Sequence, residues 1–330
     1  FSIMQCFSLL YIGSKNKTEH LIRDYFSLPD KRAVHKILFN INNELINSNI
    51  LSITNLACFA NHLTINDAYR SFIDRIGFLT TFNPRNPSSD ASKINNIIEQ
   101  STKGMIKNFI QPQMLSDQTM VLINTIYFYS KWKQPFDQKM TRQEIFHGLQ
   151  QYHIPMMLQT DSRHNYFEDQ YHQVLEMDYA DGLFSIGFVL PKSQYNEPLI
   201  NIDEFNYYIG NLRQEKIHIL KIPKFKADSR YSIKNLLMKY GLRELFQDID
   251  IGEIVPPINN KELRITDIIH AAVIEVDEAG TKASAATATI MQQNYSISSK
   301  KGIDFIANHQ FMYYIRYKPY NLILFTGIKY

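Results

Sequence analysis

Cysteine is nearly absent from this chain. Only Cys6 and Cys58 occur in 330 residues, too few for a disulfide framework and without the paired spacings of a zinc site. Both lie in apolar stretches, where a buried free thiol is expected. Net charge is nearly absent too. At +3, with Lys and Arg gathered into no single run, the chain lacks the basic footprint of a nucleic-acid binder. No apolar run reaches the roughly 18 residues of a membrane span. His153, His164 and His172 are spaced for no common metal site. No nucleophile elbow or paired-acid motif appears, so neither an enzyme, a metal nor a cofactor is expected. No Pro/Gly/Ser-rich linker, repeat or low-complexity tract divides the chain. One α+β domain over 1–330 is therefore expected, although the length allows two. The chain opens at Phe1 inside a helical pattern, with no methionine and no cap. That reads as an N-terminally incomplete domain from which no signal peptide can be read.

What is present is apolar residue, 45% of the chain, enough for a large core. Helical patterns run over Ile3 to Ile12, stopped by Gly13, over Val34 to Ile46, around Ile94, Ile97 and Ile98, and over Ile233 to Phe246. Strand patterns cover Ile53 to Ile65, Gln173 to Met177, Phe184 to Leu190, Ile217 to Ile222, Phe311 to Arg316 and Leu322 to Phe325. Val121 to Tyr129 is a continuous apolar run, the pattern of a strand covered on both faces. Ile268 to Val276 is strongly β-branched.

The most unusual stretch follows it. Gly280 to Ala288 holds a single charge, Lys282, and otherwise only Gly, Ala, Ser and Thr. Its composition alone suits a flexible surface loop. Its alternation suits more. Thr281, Ala283, Ala285, Thr287, Thr289 and Met291 would share one face of a strand, while Lys282, Ser284, Ala286, Ala288 and Ile290 share the other. One face could thus be buried without burying a charge. No proline interrupts 279–295, so every backbone N–H there could join a ladder. The segment can become a central strand, yet its small side chains give it little reason to be one by itself.

Glu275-Val-Asp-Glu-Ala-Gly280-Thr281, followed by Ala, Ser and Thr, resembles the reactive-loop hinge of the serpins. Asn124-Thr-Ile-Tyr-Phe-Tyr-Ser-Lys-Trp132-Lys-Gln-Pro-Phe136 resembles that family's Asn-Ala-Ile-Tyr-Phe-Lys-Gly-x-Trp-x-x-x-Phe strand. Ile94-Asn95, Glu99, Thr102 and Gly104 match a helix beside its main sheet. Pro155-Met156-Met157, Ile222-Pro223-Lys224-Phe225, Phe311 to Arg316 and Leu324-Phe325-Thr-Gly327 fall in family order. The chain departs from the pattern at Ile97 (usually Trp), Met105 (usually Lys) and Gln310 (usually Pro). The family's N-terminal helix and first strand are missing. So is a helix expected between Asn43 and Ile53, which in some members binds heparin. A core this compact is similar to poxvirus serpins.

The resemblance implies an α+β serpin fold: a large central, mostly antiparallel sheet with two smaller sheets, surrounding helices and an exposed reactive loop at about 278–300. It implies an inhibitory serpin. A target protease, most simply chymotrypsin-like serine and secondarily cysteine, would cleave the loop, which would insert into the main sheet and trap the covalent acyl-enzyme. Fifteen residues of strand span on the order of 50 Å. The alternative within the same fold is a non-inhibitory carrier, chaperone or storage protein. The hinge would comprise Glu278, Gly280, Thr281, Ala283, Ala285 and Thr287, with Lys282, in place of the usual Glu, on the outward face. Ser2, Asn124 and His270 match the shutter, where the sheet opens, and Trp132 matches the breach at its top. Counting Gly280 as one and fifteen along gives Asn294-Tyr295 as the scissile bond. A slip of one gives Tyr295-Ser296, and counting back twelve from Phe311 gives Ser299. Lys300-Lys301 would be a trypsin-like decoy. A monomer is expected, heparin binding is not, and both the extracellular space and a host-cell cytoplasm stay open. Asn16-Lys17-Thr18 and Asn294-Tyr295-Ser296 are sequons, meaningful only in a secreted protein.

Overall fold

The structure is a computed structural model that describes residues 1–47, 50–74, 77–194, 199–247, 249–256, 265–281 and 302–330. In chain order the elements are α1 (Ser2–Gly13), α2 (Asn16–Tyr25), α3 (Lys31–Asn47), β1 (Leu51–Ala60), α4 (Asp67–Ile73), β2 (Phe78–Phe82), α5 (Ser88–Ser101), β3 (Met120–Phe128) and β4 (Ser130–Lys131). Then come β5 (Arg142–His147), β6 (Gln151–Glu168), β7 (His172–Asp178), β8 (Phe184–Pro191), α6 (Ile202–Asn211), β9 (Arg213–Pro223), β10 (Phe225–Ser232) and α7 (Lys234–Lys239). The chain closes with β11 (Ile265–Val276), β12 (Gly280–Thr281), β13 (Ile303–Ile306), β14 (Phe311–Tyr317) and β15 (Leu322–Lys329). The described residues divide into two compact units, each built from separated stretches. One comprises Ser2–Phe128 and Ala227–Val273, the other Phe1, Tyr129–Lys226 and Ile274–Tyr330.

In the first unit the strand order is β2-β1-β3-β11. β1 runs antiparallel to β3, from Leu51↔Phe128 to Phe59↔Met120. The other two pairings are parallel. β1 pairs β2 from Leu56↔Phe78 to Ala60↔Phe82, and β11 pairs β3 from Ile265↔Met120 to Val273↔Tyr127. This part of the sheet is mixed, with one antiparallel and two parallel pairings. The reason is connectivity: parallel neighbours need long crossovers, and here β3 and β11 are joined only after the chain has built β4 to β10. All nine residues of β3 are buried, as its uninterrupted apolar run requires. Buried on the same core are Cys6, Phe7, Leu9, Leu10 and Tyr11 of α1, Ala57 and Phe59 of β1, and Ile265 and Ile268 of β11. α1 is apolar nearly all round because nearly all of it is enclosed. Both thiols are buried and free, and burial pushes Cys6 up to about 12.

The second unit holds an eight-stranded sheet in the order β13-β9-β6-β7-β8-β14-β15, with β5 on β6. All of its pairings are antiparallel except β13 with β9. β6 is 18 residues long and changes partners along its length. Its start pairs β5, its middle β9 and its end β7. The two smaller sheets expected are thus continuous through one strand. α6 packs Phe205 and Tyr208 against Val174, Val189 and Tyr314. Its N-terminus is a capping box, with Asn201 and Glu204 each accepting the other's backbone N–H at 2.9 Å, which satisfies two otherwise orphaned donors.

Candidate functional site

Two polar constellations stand out from these apolar frames. The first crosses the β3–β11 seam. Asn124 and His270 are register partners, and His270 Nδ1 lies 2.6 Å from Asn124 Oδ1. Asn124 Nδ2 donates to Asn55 Oδ1 on β1 at 2.7 Å. Asn55 Nδ2 donates to Gln5 Oε1 on α1 at 3.2 Å, and Gln5 Nε2 donates to Asn42 Oδ1 on α3 at 2.5 Å. All five side chains are buried. Since the amide nitrogen of Asn124 is committed to Asn55, its oxygen faces the imidazole, and His270 carries its proton on Nδ1. Burial pushes His270 down to about 4, so the ring is neutral at pH 7.

Of the three expected shutter residues, the structure brings Asn124 and His270 together. Ser2 is buried at the head of α1, but no hydrogen bond among the described residues joins it to either. Gln5, one turn further along the same helix, extends the network instead. Sequence reasoning missed Gln5, Asn42 and Asn55. For Gln5 and Asn55 the available signal was a lone amide inside an otherwise apolar helix or strand, which must find a partner when buried.

The second constellation surrounds the end of β11. Asp277 to Gly280 form a tight turn. The Asp277 carboxylate accepts the N–H groups of Ala279 (2.9 Å) and Gly280 (3.1 Å), and the Asp277 N–H donates to Gly280 O at 2.9 Å. Burial holds the Asp277 carboxyl above its usual range. β12 is thereby laid back antiparallel to β11, Val276↔Thr281. On its other side β12 pairs antiparallel with β4, Gly280↔Lys131 and Thr281↔Ser130. A side chain at 280 would meet the Ser130 carbonyl and come within 2.7 Å of Lys131 Cα, so only glycine fits between the two strands.

Trp132 follows β4 directly. Its indole N–H donates to Asp277 O at 2.8 Å, and its backbone N–H donates to Ala279 O at 3.0 Å. Its ring stacks on Tyr179 at 4.9 Å and 9°. Thr281 is fully buried, with Oγ1 2.7 Å from Tyr179 Oη. Glu278 is buried as well, accepting Lys224 Nζ and Thr141 Oγ1 at 2.9 Å each. Burial opposes its ionisation, but these donors outweigh that and hold the carboxyl below its usual range. Glu278, Gly280, Thr281 and Trp132 therefore converge on one turn. Tyr179 and Thr141 were missed, since nothing in their own sequence neighbourhoods marks them, and Lys224 was seen only as part of the Ile222 to Phe225 motif, without its ion-pair role.

Ala283, Ala285 and Thr287 of the expected hinge, and Asn294, Tyr295 and Ser296 at the expected scissile bond, lie outside the described residues. The arrangement is a polar network across a paired β3–β11 seam and a tight turn at the end of β11. A cleft lined by Lys133, Arg163, His164, Glu176, Asp178 and Gln214 has a volume of about 40 Å³, room for ~3 waters. No cluster of His, Cys, Asp and Glu among the described residues could hold a metal ion, and none of the described helices is long and apolar enough to cross a membrane.

Residues 1–329 match the family model described as serpin (serine protease inhibitor). An uncharacterized serpin-like protein of Acanthamoeba polyphaga mimivirus is 33% identical over 97% of this chain and 80% of its own length. Serine protease inhibitor 42Dd of Drosophila melanogaster is 30% identical over 99% of this chain and 88% of its own. Among solved structures, human thyroxine-binding globulin in complex with its hormone superposes with a TM-score of 0.83 at 22% identity, over 99% of this chain and 89% of its own.

Proposed function

The chain belongs to the serpin family, and from that premise we propose that it is an inhibitory member which traps a protease by inserting its cleaved loop between β3 and β11. The observation that carries this reading is an exchange of partners along β11. Val273 pairs with Tyr127, whereas Val276 pairs with Thr281, which pairs in turn with Ser130, three residues beyond Tyr127. A strand has already begun to form where the loop leaves β11, and it is antiparallel to both neighbours.

The protease's nucleophilic oxygen or sulfur attacks the carbonyl carbon at the scissile bond. The acyl bond forms, the peptide C–N bond breaks, and the departing amine takes a proton to become a new N-terminus. Freed at that end, the loop extends β12 down the seam. One parallel ladder between β3 and β11 is replaced by two antiparallel ladders, the slightly more stable kind per residue. The His270–Asn124 bond must open as the new strand passes. Thr281 faces inward, so the period of two puts Ala283, Ala285 and Thr287 on the same side and Lys282 on the other. No catalysis by this chain enters the scheme; it is a substrate whose product is held.

The test is incubation with a panel of chymotrypsin-like, trypsin-like, asparaginyl and cysteine proteases. The expected product is an SDS-stable adduct that has lost the C-terminal fragment. Cleavage in 282–301 without an adduct by every member of the panel overturns the inhibitory reading in favour of a carrier or storage role.

A further inference from the structure

We propose that Tyr179 is a positioning residue that sets the register of loop insertion, a reading that rests on the inhibitory function above. In a strand of small side chains the register is weakly specified, and a slip of one residue exchanges the two faces. Here the slip would matter. It would turn Lys282 and Ser284 inward and Ala283 and Ala285 outward, burying an ammonium group. The small residues of the segment itself offer little to prevent this. The Asp277–Gly280 turn sets where the strand starts, and a contact at the first inward residue can hold that start against slippage.

Tyr179 is built for that task. It is fully buried, and its backbone N–H donates to Phe184 O at 3.1 Å. Its ring is stacked on Trp132, which is itself tied to Asp277 O and Ala279 O. The phenol therefore approaches the hinge from a fixed position, and Oη meets Thr281 Oγ1 at 2.7 Å. A lysine in that place would put a charge against the buried phenol, and an alanine would leave Oη without this partner, which is costly at full burial. Gly280 adds a second constraint, because a Cβ in its place would meet the Ser130 carbonyl and Lys131 Cα. The hydroxyl pair chooses the residue, and the glycine holds the backbone at that spot.

The experiment reads register directly. Ala283→Cys and Ser284→Cys are each made in the wild-type and Tyr179→Phe backgrounds. Each protein is nicked in its loop by a non-target protease and treated with a maleimide. The native thiols stay silent because both are buried. In the wild-type background the thiol at 283 should be protected and the thiol at 284 labelled. In Tyr179→Phe that contrast should shrink about five-fold, the factor for one neutral hydrogen bond, and stoichiometry of inhibition should rise. Thr281→Val should behave alike, and the double variant no worse than either single one, as for two halves of one contact. An unchanged contrast in Tyr179→Phe, or additive losses, overturns the assignment while leaving insertion intact. Equal labelling at both positions in the wild-type background means that no strand inserts, and this sinks the inhibitory reading as well.

Discussion

On the proposed mechanism, Thr281→Arg should lower the thermal midpoint of the intact protein and turn an inhibitor into a substrate. The side chain at 281 is fully enclosed, and burying an unpaired guanidinium there costs several kcal/mol. Insertion would slow while deacylation would not. Titration of the target protease should then give mainly cleaved protein, and adducts at wild-type stoichiometry would contradict the inward placement. His270 offers a test by pH. Its folded pKa is pushed down to about 4 from an unfolded value near 6.5, so the unfolded chain binds more protons between those values. The stability this contributes, on the order of 3 kcal/mol, is present above pH 6.5 and is lost as pH falls toward 4. The fall in thermal midpoint over that window should be shallower in His270→Gln. His164 is also pushed down to about 4 by burial and serves as the control, since the substitution leaves its share unchanged. At this scale the sequence was informative where the pattern is local. The alternation beginning at Thr281 and the lone histidine of an apolar strand could both be seen. Tyr179 and Asn42 could not, because each acquires its role from a partner 102 or 37 residues away.

Elements with one dominant environment could be read from sequence with little error. α1, β3 and β11 are enclosed along their length, and an enclosed segment is apolar whatever it packs against. Amphipathic or polar elements fared worse. α2 and α4 went unnoticed, and so did α6, although Asn201 and Glu204 spell a capping signal. The helix expected over Ile233 to Phe246 stops at Lys239. Gly241 takes φ +97, a left-handed conformation that ends helices, and the chain resumes as a single 3-10 turn at Arg243–Phe246. The turn that launches β12 makes its own prediction. Glu278→Lys would set a second cation against Lys224. Because Lys224 is 42% exposed, the cost is discounted for solvent to about 1–2 kcal/mol. Thermal midpoints of Glu278→Lys, Lys224→Glu and the exchanged pair should show recovery in the double variant. Additive losses would mean that the ion pair contributes nothing to holding the turn.

Cleavage within 282–301 should raise the thermal midpoint of the whole molecule sharply, by 10 °C or more on the order of a few kcal/mol for a chain this size, because the main sheet gains a strand. Melting curves before and after nicking by a non-target protease decide it, and coincident curves would favour the carrier reading. The same strand order bears on how the chain first folds. The seam joins Met120 to Ile265, residues far apart in sequence, whereas β12 reaches β11 through a turn of a few residues. Hairpins close fast and distant parallel pairs close slowly. On the proposed mechanism, the segment after Thr281 would compete with β3 for the same edge of β11 during synthesis or refolding, with the advantage of proximity. A chain that zips the hairpin too early would arrive at a compact, stable and inactive form without meeting a protease. Refolding from denaturant should therefore divide molecules between an inhibitory population and a heat-resistant one incapable of forming adducts. Under the proposed insertion mechanism, whatever speeds the docking of β11 onto β3 should enlarge the first population, and the yield of adduct-forming protein would be decided during folding.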